Sequence, residues 1–205
     1  MNSPFIFGTL ACLRGYERAD LPFMAEWLND SEVTELLFQG LRPSNLETMT
    51  EQWEQLQRSE NDVVFAVCDR ESAAFLGTTG LYGINWVMRT AEFRVFIGNK
   101  EFWNRGIGTE CTKLMVVYGF EKLNLNKVWL GVNAENKAGV RAYEKAGMVR
   151  EGILRQEQYR RDSLQPDAQG TAYGKIYGAI DCGTAGRRRA AKNGGFSDAE
   201  TGNQY

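Results

Sequence analysis

Short blocks of apolar residues near the N-terminus change their spacing from that of a strand to that of a helix. Leu10–Tyr16 predicts a short strand. Phe23, Met24 and Trp27 recur at the spacing of one helical face, which predicts an amphipathic helix. Ser31–Phe38 predicts a second, shorter helix.

The next helix is predicted from the residues at its start. Ser44-Asn45-Leu46-Glu47 has the form of a capping box. In such a box the Ser44 hydroxyl accepts a hydrogen bond from the helix N-terminus, and the Glu47 side chain reaches back to the first residue. The predicted helix continues to about Arg58.

The middle of the chain is rich in β-branched and aromatic residues, which favour strands. The predicted strands cover Val63–Val67, Phe75–Trp86 and Ala91–Ile97, and the turns between them cover Asp69–Ala73 and Val87–Arg89.

A loop over Asn99–Arg105 leads to Gly106-Ile107-Gly108, after which the apolar spacing becomes helical. One face of this helix carries Ile107, Cys111, Leu114, Met115 and Tyr118. Further predictions are a strand over Lys127–Val132, a helix over Lys137–Ala146 capped by Gly147, and strands over Val149–Gln158 and Ala172–Asp181. Strands that alternate with helices and end in a hairpin predict a mixed α/β sheet.

Composition narrows the class of protein. The 205 residues, 43% of them hydrophobic, suit one domain with a buried core. No apolar run approaches the roughly 18 residues of a membrane span, and the N-terminus does not have the pattern of a secretory signal. We therefore expect a cytoplasmic protein with no membrane partner. Its net charge of −2 gives no reason to expect nucleic-acid binding.

The segment 182–205 differs from the rest, because it is rich in Gly, contains Arg187-Arg188-Arg189 and has no sustained period. We expect a domain over residues 1–181 followed by a disordered tail.

The residue inventory restricts the possible chemistry. There is no histidine, which excludes a Ser-His or Cys-His pair and leaves proton transfer to carboxylates, tyrosines, lysines, cysteines or water. The four cysteines are widely scattered, and no pair has the CxxC spacing of a metal or redox site. We expect no metal.

The most informative element is the turn Trp103–Thr109 between a predicted strand and a predicted helix. Its glycines allow a tight turn and expose consecutive N–H groups, which together with the helix N-terminus suit a pyrophosphate. A Walker loop is excluded because no Gly-Lys-Ser/Thr follows. The dinucleotide fingerprint fails because Cys111 stands at its third glycine position.

Together with this turn, Ala91–Ile97 and Asn136–Gly147 resemble the GNAT superfamily of N-acetyltransferases, and most of all its branch of ribosomal-protein N-terminal and polyamine acetyltransferases. The resemblance covers about residues 8–181. It implies a GNAT fold, which is a mixed, mostly antiparallel central sheet with helices on both faces. It also implies acetyl-CoA as the co-substrate.

The resemblance assigns the cofactor contacts to three segments. One strand presents backbone groups to the acetyl and pantetheine portion, the glycine turn wraps the pyrophosphate, and the later helix lines the other side. The residues so placed are Val95, Phe96, Ile97, Trp103, Asn104, Arg105, Gly106, Ile107, Gly108, Thr109, Asn136 and Lys145.

Two residues are candidates for proton transfer. Tyr143 matches the family's general acid toward the departing CoA sulfur, and the alternative is a core aromatic near Val140. Glu92 occupies the position where some members keep a general-base glutamate, although it could instead pair with a neighbouring arginine or lysine.

The acceptor side is less defined. Glu32 and Glu35 could attract a cationic amine or form a solvated face, and Trp86 could line the acceptor cleft or simply pack. The expected function is acetyl transfer from acetyl-CoA to a primary amine, which could belong to a protein N-terminus, a polyamine, an amino sugar or an aminoglycoside. The alternatives are a non-catalytic acyl-CoA-binding sensor or assembly module of the same fold and, disfavoured by the broken fingerprint, a nucleotide-dependent oxidoreductase. A homodimer is compatible with each.

Overall fold

The computed structural model describes residues 3–37, 42–161 and 170–181. Its helices in these ranges are α1 (Leu21–Asn29), α2 (Ser31–Thr34), α3 (Leu46–Arg58), α4 (Ile107–Glu121) and α5 (Lys137–Ala146). Its strands are β1 (Ile6–Phe7), β2 (Ala11–Gly15), β3 (Val63–Asp69), β4 (Phe75–Asn85), β5 (Thr90–Ile97), β6 (Lys127–Asn133), β7 (Val149–Arg161) and β8 (Gly170–Asp181). Single 3₁₀ turns cover Arg18–Asp20 and Lys100–Phe102.

The eight strands form one sheet in the order β1-β2-β3-β4-β5-β6-β8-β7. Neighbouring strands are antiparallel except for β5 and β6, which are parallel and joined by α4. A parallel pair needs such a crossover because the chain must return from the end of the first strand to the start of the second, at the opposite end of the sheet's strands. The mixed, mostly antiparallel sheet is the predicted fold class, which is confirmed.

Helices cover both faces of the sheet, because alternate strand residues point to opposite sides. On one face Leu13 and Phe93 pack with Ile107 and Met115 of α4 in the larger apolar cluster. On the other face the α1 and α3 residues pack on Ala66 and Tyr16. The residues of these two helices in the second cluster are Leu21, Met24, Leu28 and Met49.

The start of α1 is fixed by a buried ion pair. Arg14 of β2 donates to both carboxylate oxygens of Asp20, over 2.6 and 2.8 Å, and only 3% of Asp20 is exposed. Bidentate pairing of this kind compensates the desolvation of both charges. It therefore holds the first turn of α1 against the sheet.

The predicted cap at Ser44 is wrong. The N-cap of α3 is Asn45, whose side chain accepts from the Thr48 N–H at 2.8 Å. The backbone of Ser44 is instead held by the Asn29 amide, which donates to Ser44 O at 2.7 Å and accepts from Ser44 N at 2.8 Å. Two bonds from another helix therefore shift the helix start by one residue.

Other differences concern the lengths of elements. The helix predicted over Ser31–Phe38 is α2, which ends at Thr34, and Phe38 lies outside the described residues. Strand β1 was not predicted, since two residues are too few to show a period. The predicted tail, 182–205, also lies outside the described residues.

Candidate active site

The central feature of the site is a gap between β5 and β6. These strands pair at Thr90↔Lys127, Ala91↔Val128 and Glu92↔Trp129, and within the described residues no pairing continues beyond Glu92. Beyond this point β6 pairs with β8 along its other edge, and β5 continues to Ile97 against β4. The sheet therefore opens from Glu92 onward.

The direction of the β5 backbone groups follows from its register with β4. Gly98 N donates to Leu76 O at 2.9 Å, and bonded and non-bonded pairs alternate along an antiparallel ladder. The N–H and C=O groups of Val95 and Ile97 consequently point away from β4, toward the gap. An extended molecule in the gap can therefore form hydrogen bonds with β5.

Phe96 differs from its two neighbours. Its backbone groups face Thr78 of β4, and its ring lies 6.3 Å from the Trp27 ring on the α1 side of the sheet. Of the three residues expected to present backbone groups, Val95 and Ile97 therefore face the gap.

The loop after β5 is tied to the end of that strand. Trp103 donates from its indole Nε1 to Ile97 O at 2.8 Å, and Arg105 lies with its guanidinium 4.9 Å from the Phe102 ring centroid. Both residues belong to the turn that the resemblance assigned to the pyrophosphate mainly through main-chain N–H groups, and here their side chains contact the protein. They hold the loop beside the open end of the gap.

The glycine turn has the backbone conformation that its sequence predicts. Asn104 and Gly106 have positive φ angles of 60° and 87°, and Gly106 is the N-cap of α4. Since Gly106 has no side chain to cap the helix, the first N–H groups of α4 are left for an external acceptor. A Cβ added at Gly108 would meet no atom within 4 Å, so open space lies beside these N–H groups.

The side chains at the start of α4 have distinct environments. Ile107 is buried in the core, whereas Thr109 is partly exposed in the first turn. The positive end of the helix dipole and these N–H groups form an arrangement that binds phosphate in many proteins.

Helix α5 lies across the gap from β5. Its N-cap is Asn136, whose side chain accepts from Gly139 N at 2.8 Å, and Lys145 is exposed in its last turn. The Tyr143 ring packs edge-on against Phe93 of β5, with 6.2 Å between centroids. Burial raises the pKa of Tyr143 to about 12, so this phenol is protonated at neutral pH.

Glu92 lies at the point where the two strands separate. Its carboxylate pairs with Arg94 at 2.6 Å, and 22% of its side chain is exposed. The Arg94 guanidinium lies 4.7 Å from the ring centroid of Tyr82, which is opposite Glu92 on β4. The hydrogen bond to Glu92 raises the pKa of Arg94, and burial raises that of Tyr82 to about 12. The pairing with a neighbouring arginine, left open by the sequence, is therefore present.

The three acceptor-side candidates do not form one cluster. Lys100, just after β5, pairs with Glu32 at 2.7 Å, and Glu35 is the C-cap of α2. Trp86, just after β4, is half-exposed and donates to Asn61 at 3.0 Å. Because β4 and β5 are antiparallel, Lys100 and Trp86 lie at opposite ends of this strand pair.

One residue near the site was missed by the sequence analysis. Glu110, in the first turn of α4, accepts hydrogen bonds from the backbone N–H groups of Thr9, Leu10 and Ala11 at 2.7, 2.8 and 2.8 Å. These donors are about a hundred positions away in sequence, so no local pattern indicates them.

Comparison with known families agrees with this fold. A family model described as an acetyltransferase (GNAT) domain matches residues 11–149. The chain belongs to the GNAT acetyltransferase family. It is thus an acetyl-CoA-dependent N-acetyltransferase, which transfers the acetyl group to a primary amine.

Individual relatives of this acetyltransferase are spermidine N-acetyltransferases. It is 34% identical over 146 residues to the spermidine N(1)-acetyltransferase of Escherichia coli (strain K12). The matched residues cover 71% of this chain and 76% of the relative. It is 30% identical over 145 residues to the Vibrio cholerae enzyme, with 71% and 82% covered. The structure of spermidine N-acetyltransferase from Vibrio cholerae in complex with CoA and spermine has a TM-score of 0.74 at 26% identity, covering 86% of this chain and 98% of that one.

Two further findings concern the described residues of the acetyltransferase. None of their helices is long and apolar enough to cross a membrane. They contain no group of three or more His, Cys, Asp or Glu residues arranged to hold a metal ion.

Proposed function

We propose that this acetyltransferase acetylates a primary amine of a polyamine, and that the acetyl-pantetheine arm of acetyl-CoA lies in the gap between β5 and β6. The gap is the observation that supports this placement best, because it leaves the N–H and C=O of Val95 and the N–H of Ile97 without a strand partner, while the Ile97 carbonyl accepts from Trp103. Hydrogen bonds from an amide-containing arm can replace that partner. The N–H groups of Gly108 and its neighbours in the turn Trp103–Thr109 would then receive the pyrophosphate.

The reaction needs an electrophilic carbonyl and a protonated leaving group. The Val95 N–H points into the gap and can donate to the thioester oxygen, which stabilises the oxyanion as the amine nitrogen attacks the carbonyl carbon. As the carbon–sulfur bond breaks, the Tyr143 hydroxyl donates its proton to the sulfur. Asn136, as the cap of α5, and Lys145 in its last turn belong to the helix that carries Tyr143.

The amine must also lose protons, and Glu92 is the candidate acceptor for one of them. An amine with a pKa near 10.4 is neutral in only about one molecule in two thousand at pH 7, whereas an α-amine near 7.7–8.0 is about a tenth neutral. A polyamine therefore depends on a base much more than a protein N-terminus does. Glu92 supports this role by its place at the mouth of the gap, where Arg94 holds its carboxylate.

A polyamine acceptor is supported by the names of the relatives and by the negative charge of the candidate base, which attracts a cationic amine. Each relative named above carries spermidine in its name, and the Vibrio cholerae structure contains spermine. An ammonium group approaching Glu92 would take over the position that Arg94 occupies. At the other candidate anchor, Glu32, it would compete with Lys100.

We also propose a homodimer, formed along the β7 edge of the sheet. Ile153 and Leu154 of this edge strand are 50% and 48% exposed, and an exposed apolar edge is a surface for pairing with another strand. Light scattering after chromatography should give twice the monomer mass, and Leu154→Lys should reduce it. A monomeric wild-type protein would contradict this assembly.

The acceptor is tested with purified protein, acetyl-CoA and a panel of amines. Spermidine should give a kcat/KM for CoA release at least tenfold above that of a tripeptide with a free α-amine, and mass spectrometry should find a single added acetyl group. A preference for the peptide would contradict a polyamine acceptor. Binding of acetyl-CoA without turnover of any amine would favour the sensor alternative.

A further inference from the structure

The contact between Glu110 and the β1–β2 hairpin lies directly beside the glycine turn. The Glu110 carboxylate accepts three backbone N–H bonds of 2.7–2.8 Å from consecutive residues of the hairpin. Such charge-assisted bonds are about twice as strong as neutral ones. Glu110 is one helical turn from Gly106, and its own N–H donates to Gly106 O at 3.0 Å.

We propose that Glu110 is a positioning residue, which holds the first turn of α4 and thereby the N–H groups that receive the pyrophosphate of acetyl-CoA. This inference rests on the placement of the pyrophosphate given under the proposed function. It assigns to the hairpin, which is remote in sequence, a part in cofactor binding.

The hairpin is shaped to receive this carboxylate. A Cβ on Gly8 would lie 2.6 Å from Glu110 Oε2 and 2.8 Å from Ala11 O, so a side chain at this position would collide with the contact. On the other side of the turn, a Cβ on Gly106 would lie 3.4 Å from the Leu10 side chain. The hairpin therefore contacts α4 at both its N-cap and its first turn.

The three N–H groups that bind Glu110 also reduce the effect of its negative charge on a bound phosphate. A carboxylate in the first turn of a helix stabilises the helix dipole, but it also repels a phosphate bound at the same end. Three N–H groups directed at the Glu110 oxygens reduce that repulsion, since their positive ends face the negative charge. Glu110 can consequently anchor the helix end where an anion must bind.

The test compares two acetyl donors, acetyl-CoA and S-acetylpantetheine, with spermidine as the acceptor. S-Acetylpantetheine keeps the thioester and the pantetheine arm but has no pyrophosphate. Glu110→Ala should lower kcat/KM for acetyl-CoA at least tenfold and leave that for S-acetylpantetheine within twofold. The same protein thus reports on its own folding, because a general loss of structure would reduce both reactions.

Two further variants weaken the contact between Glu110 and the hairpin in other ways. Glu110→Gln, which keeps the shape and can still accept two of the bonds, should have the same selective effect to a smaller degree. Gly8→Ala, which obstructs the contact from the hairpin, should also affect acetyl-CoA selectively. Lys113→Ala is the matched control, because Lys113 is exposed on the same helix, and it should leave kcat/KM unchanged with both donors.

The outcomes separate this inference from the proposed site. If wild-type protein does not prefer acetyl-CoA to S-acetylpantetheine, the pyrophosphate has been misplaced, and the role of Glu110 is overturned with it. If the wild type prefers acetyl-CoA and Glu110→Ala keeps that preference, only the positioning role is overturned. The same holds if Glu110→Ala lowers kcat/KM equally with both donors.

Discussion

Replacing Tyr143 with Phe removes one hydroxyl from the proposed site and leaves the ring. Tyr143 packs edge-on against Phe93 and takes part in the larger apolar cluster, and a Phe ring preserves both contacts. No other side chain needs to move. The variant therefore isolates the proton donor from the packing of α5 against β5.

The size of the effect follows from the pKa values. Burial raises the pKa of Tyr143 to about 12, and a thiol has a pKa near 8.5, so full proton transfer to a free thiolate is uphill by roughly 3.5 units, or about 5 kcal/mol. The proton therefore moves late, as the carbon–sulfur bond breaks, and before that the phenol stabilises the developing charge on sulfur by a hydrogen bond. A hydrogen bond to a charged group contributes about 1.5–3 kcal/mol, which corresponds to a loss of roughly 10- to 150-fold in kcat.

The assay measures CoA release under saturating acetyl-CoA and, separately, acetyl-CoA affinity by calorimetry. Tyr143→Phe should lower kcat about 10²-fold while the dissociation constant of acetyl-CoA changes less than threefold. An acetyl donor with a more acidic thiol should be less affected, because its sulfur needs less help to leave. A kcat within threefold of wild type would refute the role of Tyr143 as the acid.

Three further predictions concern the turn, the base and alkaline stability. Gly108→Val should weaken acetyl-CoA binding at least tenfold by filling the space beside the α4 N–H groups, with little change in melting temperature, and equal affinity in calorimetry would contradict this placement. Glu92→Gln should slow a polyamine tenfold or more near neutral pH, with partial recovery at higher pH and little effect on an α-amine acceptor. An equal loss of rate for every acceptor, without recovery, would instead assign Glu92 a structural role. Burial raises the pKa of Cys68 to about 11 and that of Tyr82 to about 12, so the folded state holds protons that the unfolded state loses. The urea midpoint should therefore be constant below about pH 9 and fall as pH rises toward 12, and a flat profile would contradict the burial of these groups.

The sequence predicted those parts of the site that depend on local pattern. Gly106 needs a left-handed conformation, and it stands between a strand and a helix, so the turn could be located before the structure was known. The residue pattern predicted the strand that carries Glu92 and the helix that carries Tyr143, and the family resemblance singled out these two residues. The bounds of β5 were also close, since Ala91–Ile97 was predicted and Thr90–Ile97 is observed.

The remaining parts depend on contacts between distant segments. The start of α3 differs because Asn29 binds the backbone of Ser44, and neither residue indicates the other in the sequence. Glu110 had the appearance of an ordinary polar residue on a helix, because its partners belong to the first hairpin. The gap itself follows from the register of β5 against β6, which pairs residues some 37 positions apart.

The short pairing of β5 with β6, which covers only three residue pairs, has a consequence for how the chain folds. Strands β1–β5 lie within residues 6–97 and pair only with their neighbours in sequence, and β6–β8 lie within residues 127–181. Within each segment most pairings join successive strands through short connections. The exceptions are β2 with β3, whose connection contains α1 to α3, and β6 with β8, which are separated by α5 and β7. Pairings between successive strands favour rapid assembly.

Three residue pairs join these two segments within the sheet, and α4 packs on both, contacting β4 and β5 on one side and β6 and α5 on the other. The two segments are thus joined by a short pairing, and separation of one from the other should begin there. A ligand lying between the two strands adds cross-links where the backbone has none. Occupancy of the gap should therefore turn two loosely coupled folding units into one that unfolds cooperatively.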